Sequence, residues 1–174
     1  FRSAVAVGAD WIRGGLATEV LVGSAECFDP WVSECLAVLH GVPPRTAEGG
    51  SWVLLAERRA EACKAATALA RLRRWGVASS SSLAWEALPS PEAGAVVFSA
   101  SDPERVAPLL TSSAWGGAAL VDCRRALGAH DAGGAGALGL GAAWLRAGRA
   151  PQVLVVGLGA AQHFWFELAP LARA

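Results

Sequence analysis

What most limits the folds open to this chain is a repetition within it. The segment AVAVGADWIRGGLATEVLV at residues 4–22 returns as ALGLGAAWLRAGRAPQVLV at residues 137–155. Aligned without a gap at an offset of 133, ten of the nineteen positions are identical. They include the pairs Gly8/Gly141, Trp11/Trp144, Arg13/Arg146 and Gly15/Gly148, and Val20-Leu21-Val22 against Val153-Leu154-Val155. Alanine bias could supply some matches, but not the shared W-[IL]-R-x-G frame. Closely spaced Ala and Gly let a helix approach a neighbouring backbone. An Arg in the last turn suits the negative helix end, and the Gly after it can take a left-handed cap. The runs VLVG and VLVVG are continuous rather than alternating, which predicts strands buried on both faces. A helix feeding a buried strand, used twice, implies a duplicated α/β fold with sheets or half-sheets around central helices.

Composition agrees with a packed chain. Its 174 residues are enough for a substantial core, and 53% hydrophobic against 17% charged residues excludes disorder. Fifteen Lys and Arg balance fifteen Asp and Glu, so neither nucleic acid nor a membrane surface is expected as a partner. No apolar run reaches the roughly 18–20 residues of a spanning helix. Phe1-Arg2-Ser3 leads straight into periodic sequence, so no signal peptide and a cytoplasmic location are expected. Cys27, Cys35, Cys63 and Cys123 have no CxxC spacing and read as buried thiols of a reducing compartment, so no metal site is expected, and no cofactor either. The chain contains no Met and opens on Phe1, almost inside the first helix, so an upstream part is expected to be missing.

Between the repeats the pattern predicts an amphipathic helix in SAECFDPWVSECLAVLHGV and, in GGSWVLLAERRAEA, a strand ending in charge. A charged, solvated helix is expected over ERRAEACKAATALARLRRW. After a polar break follow a strand (AVVFSAS), a helix (DPERVAPLLTSS) and a strand-like run (GAALVDC). The SSSS tract divides the chain into halves 1–78 and 79–174 within one structural domain. Of eight tryptophans, Trp11 and Trp144 belong to the repeat and are expected in the core; some of the others are expected to line an interface. VVGLGAAQ has the strand-then-GxG opening of a dinucleotide site. Its third glycine position is Gln162 and strand-like FWFEL follows, which argues against that reading.

These segments resemble, in order, the motifs of the β-ketoacyl synthases of the thiolase-like superfamily. GAHDAGGAGALGLGAAWL at 128–145 is similar to the family's GHTxGAAG helix, and GLGAAQHFWFEL at 157–168 to its GFGGTN turn and last strand. VLVGSAE at 20–26 and PPRTAEGGSWVLLAER at 43–58 resemble two further family stretches. The resemblance implies a thiolase-like duplicated α-β-α-β-α layered fold with an incomplete first half. It also implies acyl condensation through a nucleophilic Cys at a helix N-terminus, which here would fall just before residue 1.

In the second copy the resemblance places His130 as an oxyanion donor and Arg125 where the family has a lysine. It places Gly157, Leu158 and Gly159 in the turn by the substrate tunnel, with Leu158 where the family has a gating phenylalanine. His163 and His40 read as structural, and no histidine stands near Ser99–Asp102, where the family's HGTGT loop would supply one. These departures point to a ketosynthase-like subunit of fatty-acid, polyketide or aryl-polyene type biosynthesis, acting as a non-catalytic partner in the manner of a chain-length factor. Its expected partners are a ketosynthase-like subunit or a second copy, an acyl carrier protein and an acyl thioester. Arg71, Arg73 and Arg74 offer a basic contact for an acidic carrier. The alternatives are an active acyltransferase of the β-ketoacyl synthase type with its Cys upstream, and a structural dimerisation module.

Overall fold

The repeated segments build the same local structure. In the computed structural model, which describes residues 2–26, 49–57, 68–78, 87–127, 133–159 and 163–171, helix α1 (Arg2–Arg13) leads to strand β1 (Glu19–Glu26). β1 pairs antiparallel with β2 (Gly49–Ala56). Strands β3 (Arg71–Ala78), β4 (Val96–Ser99), β5 (Ala119–Asp122), β6 (Val153–Leu158) and β7 (His163–Ala169) form a mixed sheet in the order β3-β7-β6-β4-β5. β4 is parallel to β5 and β6, whereas β7 is antiparallel to β6 and β3. The remaining helices are α2 (Pro103–Thr111), α3 (Arg124–Leu127) and α4 (Gly133–Arg146).

Both α1 and α4 end in a Schellman motif. The Gly15 N–H donates to the Ile12 carbonyl at 3.1 Å and the Leu16 N–H to Trp11 at 2.8 Å. Gly148 donates to Leu145 and Arg149 to Trp144, each at 3.0 Å. Gly15 and Gly148 sit at φ of +71° and +69°, the left-handed region that only glycine enters without penalty. Packing repeats too. A Cβ on Gly8 would stand 2.9 Å from Val20 Cγ1, and one on Gly141 2.8 Å from Val153 Cγ1. The likeness runs on into the following strands. Trp52 and Leu55 of β2 face β1 in the register that Trp165 and Leu168 of β7 hold against β6.

Two apolar clusters fill the faces of the five-stranded sheet. On one, Val96, Phe98, Val153, Val155, Phe166 and Leu168 meet Ala137, Leu138 and Leu145 of α4; Val5 of α1 and Val22 of β1 join the same cluster. On the other, Val97, Leu154, Val156 and Trp165 meet Val106 and Leu110 of α2 and the fully buried Trp115. The Trp115 Nε1–H donates to the Pro89 carbonyl at 2.6 Å. Burial of each of these large side chains contributes about 1.5–3 kcal/mol relative to exposure.

Several expectations need correction. The duplicated α-β-α-β-α layered fold with an incomplete first half is not what the described residues form. They make a small, sheet-rich mixed domain of seven strands and four helices, with five strands in one sheet and two in the other. The repetition is confined to the helix–strand–strand unit. β6 has strands on both edges, but β1 has only β2 among the described residues. Consequently β6 is buried along its length, as expected, while Leu21 of β1 is 63% exposed. The charged segment expected to be helical contributes β3, because its last residues pair with β7 across a register shift between Leu72 and Arg74. Trp144 packs edge-on against Phe98 of β4, at 5.2 Å between ring centroids. Trp11 was expected in the core but is half exposed, since no described strand lies beside β1 to carry a counterpart of Phe98. The helix expected in 24–42 and the SSSS tract lie in large part or wholly outside the described residues. β3, from before that tract, pairs with β7, from after it.

Candidate functional site

In a sheet with parallel strands, chemistry gathers where the strands end and their loops turn into helices. Here that edge is formed by the C-terminal ends of β4, β5 and β6, together with the start of α4. β4 is buried on both faces and delivers Ser99 to the edge with no exposure. Asp102 caps α2: its Oδ1 accepts the Glu104 N–H at 3.1 Å, and Pro103 supplies the first turn. The Ala100 N–H donates to the Val156 carbonyl at 2.9 Å and the Cys123 N–H to Ser99 at 3.0 Å, so the three strand ends are tied together.

Side chains continue that lacing. The Ser101 hydroxyl accepts the Leu158 N–H at 2.7 Å and donates to the Leu158 carbonyl at 3.1 Å. The Ser99 hydroxyl donates to the Ser101 carbonyl at 2.7 Å. Arg124 spans two helix starts, with Nε donating to Asp122 Oδ1 and Nη2 to Asp102 Oδ1, each at 3.2 Å. Partial burial opposes the Arg124 charge. The hydrogen bond and charge of Asp122, then those of Asp102, outweigh it and raise the pKa above the usual guanidinium value. Cys123 beside it is buried. Desolvation, then the Asp122 charge, pushes its thiol up to about 12, so it is protonated and unreactive at neutral pH.

The residues singled out from sequence fall unevenly on this edge. Arg125 is on it, but its side chain is 90% exposed and approaches only Asp122, at 3.8 Å. Its neighbour Arg124, which sequence reasoning passed over, makes the structural bridge. The available signal was the D-x-R spacing of Asp122 and Arg124 directly after a short strand. Gly157 and Leu158 lie within β6 rather than in a turn, and Gly159 follows them. A Cβ on Gly157 would fall inside the ring of Phe164, its direct partner on β7, so the aromatic ring occupies the space that any other residue would need. His130, His40, Cys27, Cys35, Cys63 and residues 160–162 lie outside the described residues. α4 opens on the buried Gly133 and Gly134, and Gly133 lies close to the Ala100 carbonyl, so the start of α4 stands at this edge. His163 begins β7, and its buried Nδ1 has no hydrogen-bond partner among the described residues. Among the described residues no group of three or more His, Cys, Asp or Glu could hold a metal ion, and no helix is long and apolar enough to cross a membrane.

No family model and no curated protein matches the sequence. Among solved structures the chain is similar in fold to a chain of the assembly described as "AntDE:AntF (apo): type II PKS acyl-carrier protein in complex with its ketosynthase bound to the hexaketide". The TM-score is 0.79 at 18% identity, over 98% of this chain and 55% of that one. This chain therefore spans about half the length of the chain it matches.

Proposed function

We propose that this chain serves polyketide-type biosynthesis as a non-catalytic partner of a ketosynthase-like subunit and its acyl carrier protein, influencing product length as a chain-length factor does. One observation carries the reading. The end of β4 and the loop after it, where the resemblance would put a catalytic histidine, read Ser99-Ala100-Ser101-Asp102, and their polar side chains are committed to holding strand ends and helix starts together. Cys123, the one cysteine among the described residues, is buried with a raised pKa. Such an edge is suited to position neighbouring groups rather than to exchange protons or attack a thioester. The fold likeness to a chain of a ketosynthase and acyl-carrier assembly supports the same context.

The test is reconstitution with carrier-bound acyl substrates and a candidate ketosynthase. The chain should shift the length of the product, and His130→Ala should leave that shift intact. Product length unchanged by the chain would sink the proposal. Loss of condensation on His130→Ala would instead return the chain to the enzymes.

A further inference from the structure

β7 is buried along almost its whole length, yet none of residues 71–77 in its neighbour β3 is buried. The apolar hold on β3 is slight, with Leu72, Trp75 and Val77 only half-buried against the core. Charge supplies a second hold. The register shift between Leu72 and Arg74 brings two consecutive arginines to one carboxylate. Arg73 Nη1 stands 3.6 Å from Glu167 Oε1 and Arg74 Nε 3.6 Å from Glu167 Oε2, and Arg73 also pairs with Glu92 at 3.0 Å. From α1, Arg13 lies over the Trp75 ring at 5.0 Å. One strand, contributed by the sequence between the two repeats, is thus clasped by α1 of the first and β7 of the second.

Such a clasp is reversible. With β3 in place the Glu167 side chain is 4% exposed, so its lost hydration offsets much of the attraction of the two guanidinium groups. With β3 lifted, the carboxylate gains water where the arginines stood, and no charge is stranded. Arg74 is 68% exposed, so dissolved ions reach the clasp. We infer that β3 is a strap latched by charge, opening from β7 while β7, β6, β4 and β5 stay paired, with ionic strength setting how often it opens. Opening would uncover the outer edge of β7 and the Trp165 ring. That ring now lies against Gly76 so closely that a Cβ there would stand 2.5 Å from Trp165 Nε1. It would also release α1 from its contact with Trp75.

Native-state hydrogen exchange of the whole chain, followed by mass spectrometry at peptide resolution, tests the strap. In low salt, peptides covering β3 should exchange faster than those covering β6. Raising sodium chloride from about 20 mM to about 500 mM should speed β3 by about threefold or more relative to β6. Arg74→Gln, at an exposed position, should speed β3 in low salt and remove most of its salt response, with an unchanged far-UV spectrum. Arg105→Gln, on the exposed face of α2, should leave both intact. Exchange of β3 only together with β6 overturns the inference, since the sheet then opens as one body. A salt response absent from β3, or shared equally by β6, overturns it too. So does a β3 indifferent to Arg74→Gln, or equally sensitive to Arg105→Gln, because the latch is then not these ion pairs.

Discussion

Cys123 and Arg124 are consecutive residues at the end of β5, yet their environments drive them to opposite uses. The thiol turns into the core and loses water; the guanidinium stays partly exposed and binds two carboxylates. The raised thiol pKa has a consequence for stability. In the unfolded chain the thiol ionises near 9, whereas in the fold it holds its proton to about 12. Between these values the unfolded state binds fewer protons, so stability falls as pH rises through that window and is fully present below it. The urea midpoint of the wild-type chain should therefore drop, relative to Cys123→Ala, on going from about pH 8 to about pH 10. Parallel pH profiles for the two proteins would refute this. The burial of Cys123 was legible in GAALVDC, where the apolar run leads straight into it. The role of Arg124 was not, because its second carboxylate, Asp102, is 22 residues away and meets it only through the β4–β5 pairing.

The repeated helix–strand–strand unit was the most legible element, and for a local reason. A Schellman cap needs its glycine at one place relative to the last helical residues, so W-[IL]-R-x-G fixes the helix end without knowledge of the rest of the fold. The same logic separates two kinds of glycine. Gly148→Ala meets no neighbour but is strained at positive φ, and should cost about 1 kcal/mol. Gly141→Ala has acceptable backbone geometry, but its methyl would meet Val153 Cγ1 at 2.8 Å and Val155 Cγ2 at 3.4 Å in a buried interface. Overpacking there should cost about 1–3 kcal/mol. Chemical denaturation of both variants, with Gly148→Asn as the αL-tolerant control, checks the ordering. β3 was illegible by contrast. ARLRRW contains good helix formers, and its alternation is broken because the bulge between Leu72 and Arg74 leaves Arg73 and Arg74 both exposed. Pairing with β7, nearly ninety residues further on, decides its conformation.

How the chain closes on itself depends on a polar device inside an otherwise apolar core. Gln152 and Glu167 are both buried, and the Gln152 Nε2–H donates to Glu167 Oε1 at 2.9 Å. The Gln152 amide also accepts the Glu92 N–H at 2.7 Å and donates to the Ser90 carbonyl at 3.3 Å. It thereby pins the segment before β4 to the start of β6. Arg73 stands 3.6 Å from Glu167 Oε1 and bonds Glu92 at 3.0 Å, so β3 is drawn into the same network. Glu167 Oε2 has no hydrogen-bond partner among the described residues, and Arg74 Nε lies 3.6 Å from it, so the charge is neutralised more than it is bonded. A network of this kind contributes little beyond an apolar replacement while complete, but losing one member strands the others. Gln152→Ala should accordingly cost about 2–4 kcal/mol, because it leaves a buried carboxylate oxygen and the Glu92 N–H without their partner. Glu167→Leu, removing the charge itself, should cost less, and the double variant less than the sum of the two. A double-mutant cycle by urea unfolding measures this, and strict additivity would show that Gln152 and Glu167 do not act as a unit. None of it could be read from sequence, where Gln152 is one polar residue before an apolar run and Glu167 one charge inside FWFEL. Their meaning arises only when β6 and β7 pair and the segment from residue 88 to 94 crosses their end.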